Sequence, residues 1–162
     1  MIELEVSGPY EIPKEKYGIG KAWRIQEKEL KKQEFFKMKG WGIYIYCIRH
    51  GNSRRVVWVG KSTRNDRKIM REATLSDKLK KINQALNEYK GTLEILLLTT
   101  KRKSDNARKA VEDAETMHIL EFYKAGHPLK NVRQTKPKYS IEGEGKKGKV
   151  SKALGAYKSL FT

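Results

Sequence analysis

The chain has 162 residues, which fits one ordinary domain with additional segments at its ends. A single cysteine, Cys47, excludes a disulfide framework or a cysteine-based zinc cluster within the chain, and no apolar run approaches the roughly 20 residues of a membrane span. The formal net charge is +17, an excess that attracts polyanions, above all the phosphate backbone of nucleic acids.

The charge excess leaves several protein classes open. It would also suit solubility alone, a ribosome-associated protein or a membrane-surface protein, and it does not separate DNA from RNA or cleavage from binding. The first residues lack the basic start and apolar run of a secretion signal, and a lone cysteine fits a reducing compartment. We therefore expect a cytoplasmic, nucleoid-associated protein that acts on nucleic acid and has no membrane partner.

Residues 1–40 are expected to form an N-terminal extension that is partly helical. The extension opens with an irregular, proline-containing segment, and the highly charged stretch 22–39 predicts a helix. Within that stretch, Trp23, Phe35 and Phe36 could dock on the main body of the protein. Alternatively, the segment could be an arm that grips a partner, and the pattern leaves both interpretations open.

The next segment, 41–50, predicts a strand that is apolar on both faces. Gly51 and Asn52 supply a turn, and the β-rich run 56–60 completes a hairpin. One face of the first strand carries Ile43, Ile45 and Cys47, and the other carries Tyr44, Tyr46 and Ile48.

Three further elements follow the hairpin. Residues 75–89 predict an amphipathic helix that ends at Gly91, and 92–100 predict a strand buried on both faces. A long helix is expected from Ser104, as N-cap, to Gly126. The order is therefore strand, strand, helix, strand, helix, which indicates a mixed α/β (α+β) fold.

The two strands of the hairpin carry a pattern that resembles the signature of the GIY-YIG endonuclease family. Gly42-Ile43-Tyr44 on the first strand is followed by Trp58-Val59-Gly60 on the second, and then by the polar run Lys61-Ser62-Thr63. An arginine, a glutamate and an asparagine are expected next, and the chain offers Arg67 or Arg71, Glu115 and Asn131 in that order.

The resemblance covers residues 41–131 and carries expectations about the fold. It implies a small sandwich with a central three-stranded antiparallel sheet flanked by helices, in the order β-β-α-β-α. The N-terminal extension precedes this domain, and residues 132–162 follow it as a basic C-terminal linker and a short helix.

Glu115 is the expected metal ligand, and its position in the predicted helix supports this choice independently. It lies between Val111, Ile119 and Phe122 in the middle of the apolar stripe, where a carboxylate is costly unless something pairs with it. A salt bridge to a nearby lysine or arginine is the structural alternative. Mg²⁺, with Mn²⁺ as a substitute, needs only one or two carboxylates when water and phosphate oxygens complete its shell.

The tyrosines of the first strand are either core aromatics or active-site groups. The resemblance implies that Tyr44 faces the scissile phosphate and helps to deprotonate the attacking water, which requires nearby cations to lower its pKa. Tyr46 is a secondary candidate. Trp58 departs from the family pattern because it stands where a tyrosine is usual, and an indole cannot act as a base.

The remaining site candidates are polar residues near the ends of the predicted elements. The resemblance places Lys61 near the reacting phosphate, and gives Arg67, with a one-residue offset, the role of neutralising charge on it. Arg71, one helical turn later, could fill a second position of the family pattern, which is often histidine. Asn131 is expected to tie its loop to the sheet. Surface positions without a role are the alternative for Lys61 and both arginines.

The C-terminal stretch from residue 132 is basic and rich in glycine, so we expect it to be flexible and to follow a phosphate backbone. The terminal helix is expected to pack on the domain. The residues expected to contact DNA are Arg64, Lys146, Lys147 and Lys149.

Together these features predict a metal-dependent endonuclease that hydrolyses phosphodiester bonds of double-stranded DNA, of the restriction, repair or phage and mobile-element kind. One Mg²⁺ on Glu115 would stabilise the leaving 3′ oxygen while Tyr44, assisted by Lys61, activates water and Arg67 steadies the phosphate. Cutting both strands with one site needs a homodimer or two successive nicks. The alternatives are a DNA-binding protein with a degraded site, or a nuclease directed at RNA.

Overall fold

The computed structural model describes residues 2–64, 68–131 and 158–161. Its strands are β1 (Glu5–Glu11), β2 (Lys14–Tyr17), β3 (Ala22–Ile25), β4 (Trp41–His50), β5 (Ser53–Ser62) and β6 (Thr92–Thr100). Its helices are α1 (Glu27–Lys31), α2 (Ile69–Ala73), α3 (Ser76–Glu88) and α4 (Asp105–Lys124), with 3₁₀ helices at Glu34–Lys37 and Lys158–Phe161.

The central sheet is antiparallel with the strand order β1-β6-β4-β5, and β2 and β3 form a separate hairpin. The mixed α+β class predicted from the sequence is therefore confirmed, but among the described residues the sheet has four strands rather than three. The additional strand, β1, comes from the N-terminal segment and pairs with β6. An irregularity between Ser7 and Tyr10 interrupts the register of β1, and this break hides the two-residue alternation by which a strand is recognised.

Strand β4 separates two apolar cores, as its alternation predicts. Tyr44, Tyr46 and Ile48 pack with α2, α3 and the N-terminal segment. Ile43, Ile45 and Cys47 pack on the other face with α4. The helices that follow β5 and the long helix α4 therefore lie on opposite faces of the sheet, and β5 forms its edge.

The N-terminal segment docks on the body of the protein. Phe35 is buried in the core, and Trp23 and Phe36 pack against it. The prediction of one helix over residues 22–39 was wrong, because β3 occupies the start of that stretch and only α1 and a 3₁₀ helix follow. Asn83 and Asn87 of α3 explain the difference, since their side-chain oxygens accept hydrogen bonds of 2.9 and 2.8 Å from backbone amides of β3.

The two long helices begin close to their expected positions. Helix α3 buries Leu79, Ile82 and Leu86, as expected of the amphipathic helix predicted over residues 75–89. Ser104 caps α4 by accepting a hydrogen bond of 3.1 Å from the amide of Ala107. In the described part of the chain, no helix is both long and apolar enough to cross a membrane.

Candidate active site

The open end of the β4–β5 hairpin brings together the two tripeptides that were singled out in the sequence. Tyr44 lies directly opposite Gly60 in the antiparallel pair. A Cβ atom on Gly60 would lie 2.3 Å from the ring and hydroxyl of Tyr44. Glycine is therefore required here because the tyrosine ring lies across the backbone of β5, and this packing fixes where the hydroxyl points.

The Tyr44 hydroxyl is fully buried and makes no regular hydrogen bond within the described residues. Burial raises its pKa well above the usual range, and Tyr46, Glu72 and Glu115 add to this effect, whereas the Trp58 side chain lowers it. The indole N–H of Trp58 is likewise buried and has no regular partner in the described part of the chain. A general base needs the opposite shift, so Tyr44 in this state is a neutral hydroxyl at all ordinary pH values.

Glu115 projects from the middle of α4 and is partly buried. Burial is the largest cause that raises the pKa of its carboxyl group, and Glu112 adds to it, while Lys61 and Lys78 oppose it. The neighbouring lysines form their ion pairs with other carboxylates, so among the described residues Glu115 has no direct ion pair. The salt-bridge alternative considered for this glutamate does not apply within those residues.

Lys61 lies at the end of β5 on the face that packs against α4. Its ammonium group is 3.5 Å from the carboxylate of Glu112, and its side chain is 37% exposed. Arg108 lies further along this edge and donates a hydrogen bond of 3.2 Å to Thr63. Lys61 is therefore held beside Glu115 by an ion pair one turn away on the same helix, and it stays accessible to a ligand.

Tyr44, Lys61 and Glu115 form a cluster of polar side chains at the open end of the hairpin. Lys78 and Glu72 belong to it as well, although the sequence alone did not indicate them, and they come from the face of the sheet opposite α4. The Lys78 ammonium donates to the backbone carbonyl of Glu72 at 3.0 Å and to its carboxylate at 3.2 Å. It also lies 5.5 Å from the centre of the Tyr44 ring. Lys78 is only 14% exposed, which is low for a lysine in a surface helix and is visible only in three dimensions.

Two of the secondary candidates have structural partners. The Tyr46 hydroxyl donates a hydrogen bond of 2.9 Å to the carbonyl of Ala73, and burial raises the pKa of Tyr46 above its usual range. The Asn131 side chain donates to the carbonyl of Val59 at 2.8 Å and so ties its loop to the edge of β5. Tyr46 and Asn131 therefore hold the backbone around the cluster in place and are not among its polar groups.

The arginine candidates lie elsewhere or outside the described residues. Arg71 is exposed and lines a groove beside α2, and Arg64 is exposed in the loop after β5. Neither is among the charges that shift the pKa of Tyr44 or Glu115. The predictions for Arg67, Lys146, Lys147 and Lys149 fall outside the described residues.

The donor set around Glu115 fits a weakly held hard cation. The described residues contain no group of three or more His, Cys, Asp and Glu side chains that could hold a metal by themselves. A partly buried carboxylate without a direct ion pair among the described residues suits Mg²⁺ that keeps water and phosphate oxygens in its shell. Transition-metal sites of several histidines or cysteines do not fit this set.

Comparison of the chain with protein-family models, curated proteins and solved structures found no match. The functional assignment therefore depends on the residues and geometry of the cluster.

Proposed function

We propose that this protein is a metal-dependent endonuclease that hydrolyses phosphodiester bonds in DNA. The observation that carries the proposal is the charged surroundings of Tyr44, which packs across Gly60 with the Lys78 ammonium 5.5 Å from its ring centre. The charge of Glu115 acts on the Tyr44 hydroxyl, and Lys61 and Lys78 act on the Glu115 carboxyl group. These residues come from four separate elements, β4, β5, α3 and α4. The net charge of +17 supports a polyanionic substrate.

Glu115 would hold the divalent cation, Mg²⁺ or Mn²⁺. When bound, such a cation acidifies an attacking water and stabilises the charge that develops on the leaving oxygen. Glu115 suits this task because its carboxylate is partly desolvated and lacks a direct ion pair among the described residues. The positive charge of the cation would favour the ionised carboxylate and offset the burial that raises its pKa.

The other residues of the cluster would bind and orient the phosphate. Lys61 and Lys78 neutralise negative charge on the phosphate oxygens. The neutral Tyr44 hydroxyl donates a hydrogen bond to the attacking water or to a phosphate oxygen, and the Trp58 indole N–H can only donate. We thus assign Tyr44 to orientation rather than to proton abstraction, because its pKa is raised. Arg67 keeps its expected role beside the phosphate.

A second function, DNA binding without cleavage, is favoured by one observation. Trp58 stands where the family pattern usually has the tyrosine of its second tripeptide. The Trp58 N–H is buried together with the Tyr44 hydroxyl. If this arrangement does not open towards a substrate, the cluster cannot contact a phosphate, and the basic surface would retain DNA without cutting it.

Nicking of supercoiled plasmid distinguishes these two functions. We expect the wild-type protein to convert supercoiled plasmid to the open-circular form in Mg²⁺ or Mn²⁺, and EDTA to stop the reaction. Glu115→Gln should nick at least about 100-fold more slowly, because it removes the ligand charge with almost no change in shape. Glu121→Gln, on the same helix, is the matched control and should nick at the wild-type rate.

Binding has to be measured beside cleavage. Glu115→Gln should still shift plasmid fragments in a gel. In the absence of DNA, this variant should bind less Mn²⁺ than the wild type, as measured by electron paramagnetic resonance. If wild-type protein shifts DNA but never nicks it with either metal, the protein binds without cleaving. If Glu115→Gln nicks normally, the metal assignment is wrong. Preferential cleavage of RNA would overturn the choice of DNA.

A further inference from the structure

A groove lined by positive charge lies between the N-terminal segment and α2. It is separate from the catalytic cluster, by which we mean Tyr44, Lys61, Lys78 and Glu115. Its cationic side chains are Lys31, Lys37, Lys68 and Arg71, and Phe36 also lines it. Among the described residues, no acidic side chain lines this groove, which has a volume of about 610 Å³. We call these four cations and the space between them the basic groove.

The walls of the basic groove are held in place by the core. Phe35, next to the groove residues, is buried and stacks on Tyr10 with ring centres 4.6 Å apart. On the opposite wall, Ile69 and Met70 of α2 are fully buried in the same core. The 3₁₀ helix Glu34–Lys37 packs directly against α2. The backbone positions of the cations are therefore fixed relative to each other, unlike those of lysines on an isolated tail.

Helix α2 separates the basic groove from the catalytic cluster. Arg71 lines the groove, whereas the next residue, Glu72, is bound by Lys78 and raises the pKa of Tyr44. The carbonyl of Ala73, on the same helix, accepts the hydrogen bond of Tyr46. An α-helix is about 10 Å in diameter, so a polymer that occupies the cluster passes within reach of the groove after a few phosphates.

We propose that the basic groove binds the phosphate backbone of duplex DNA on one side of the bond that is cut, an inference that rests on the proposed function. Four cations with no acidic neighbour among the described lining residues complement a backbone that carries one negative charge about every 3.4 Å of helix axis per strand. Contacts of this kind fix the register of the duplex without reading its sequence. Lys31 and Lys37 belong to the N-terminal segment, which thereby becomes part of the substrate surface.

Two triple variants with the same loss of charge test the groove. The groove variant carries Lys31→Gln, Lys37→Gln and Arg71→Gln. The control variant carries Arg102→Gln, Lys109→Gln and Lys124→Gln. All six side chains are exposed, so both proteins should melt as the wild type does, and the three control positions lie on α4 or in the loop before it.

Affinity for a short DNA duplex would be measured by fluorescence anisotropy in EDTA, over a series of salt concentrations. The groove variant should bind on the order of 10- to 100-fold more weakly, and the slope of log K against log salt should become shallower by about 2 to 3. The control variant should change affinity by less than about threefold, because it lowers the overall field but removes no direct phosphate contact.

Site-specific crosslinking gives a second readout that does not depend on cleavage. Cys47 is buried, so a cysteine introduced at an exposed position can be labelled selectively with a photo-crosslinker. Lys37→Cys should crosslink to the duplex on irradiation, and Lys109→Cys should not.

Each outcome bears on one proposal or the other. Equal weakening of both triple variants, absence of DNA binding by the wild type, or tighter binding of an RNA duplex would overturn the groove inference. A wild type that binds DNA through the groove but never nicks it would overturn the proposed hydrolysis and leave the groove inference standing. Normal binding and nicking by the groove variant would overturn the groove inference alone.

Discussion

The two ends of the β4–β5 hairpin differ in whether their buried polar groups have partners among the described residues. At the turn end, Arg49 and Arg54 face each other across the hairpin, and Glu94 of β6 binds them at 3.3 and 2.8 Å. At the open end, Glu115 has no direct ion pair among the described residues, and the Tyr44 hydroxyl is buried without a regular hydrogen bond.

This difference separates a structural cluster from a candidate site in the same hairpin. Buried polar groups that are fully paired hold a fold together, whereas buried groups left unpaired lower its stability. A protein retains the second kind where another molecule supplies the partner. The turn end should therefore govern stability, and the open end should govern activity at some expense of stability.

The largest expected effect comes from removing the ion pairs at the turn end of the hairpin. Glu94→Gln leaves Arg49 and Arg54 opposite each other without their counter-charge, and we expect the free energy of unfolding to fall by about 3 kcal/mol. The partial exposure of Arg49 keeps the loss towards the lower end of the range for buried pairs. Urea unfolding measures it, and an unchanged midpoint would remove the contrast between the two ends.

The second effect tests the close packing at the open end. Gly60→Ala places a methyl group 2.3 Å from Tyr44, and we expect a loss of about 2 kcal/mol in unfolding free energy together with slower nicking, because the tyrosine must move. Gly20→Ala is the matched control, since a Cβ atom there meets nothing within 4 Å. Equal stability of both variants in urea would show that Tyr44 does not need this glycine.

A pair of tyrosine variants sharpens the comparison further. Tyr46→Phe removes a hydrogen bond to Ala73 and should lower the free energy of unfolding by about 1 kcal/mol without affecting nicking. Tyr44→Phe removes a buried hydroxyl that makes no regular hydrogen bond with the described residues, so it should unfold at the same or a higher urea concentration but nick at least about tenfold more slowly. The reverse pattern would place the functional tyrosine at position 46.

The smallest effect is a pH dependence of stability at Glu115. Because burial raises the pKa of this carboxyl group, folding favours its protonated form. Its stabilising contribution is present below the pKa of an unfolded glutamate, about 4.3, and is lost as pH rises through the raised folded pKa. Glu115→Gln cannot ionise, so its melting temperature should match the wild type near pH 4 and exceed it slightly at neutral pH. A gap that is constant with pH would contradict the assignment.

Local patterns predicted much of the fold. The alternation in β4 correctly divided Ile43 from Tyr44 between the two faces, and the Ser104 cap correctly marked the start of α4. Strand β1 was missed because an irregularity near Gly8 breaks its alternation, and β3 was missed because its amides bind side chains of a distant helix. Such bonds between distant residues leave no local pattern.

The candidate site was predictable only where the sequence is unusual. Glu115 stands out because a carboxylate interrupts an apolar stripe, and in the folded protein its charge acts on the Tyr44 hydroxyl. Lys78 does not stand out, because one more lysine on an amphipathic helix looks solvated, and only the docking of α3 buries it. The raised pKa of Tyr44 was also not predictable, since it depends first on the burial of the hydroxyl, then on Tyr46 and on carboxylates brought from α2 and α4.

The most direct test of this account compares Glu115→Gln with Glu94→Gln for nicking rate per folded molecule in Mg²⁺ and for unfolding in urea. We expect Glu115→Gln to lose at least about 100-fold in rate with no loss of stability, and Glu94→Gln to nick at the wild-type rate while unfolding at lower urea. Wild-type nicking by Glu115→Gln, or loss of nicking in folded Glu94→Gln alone, would contradict the central claim that the open end of the hairpin is the active site.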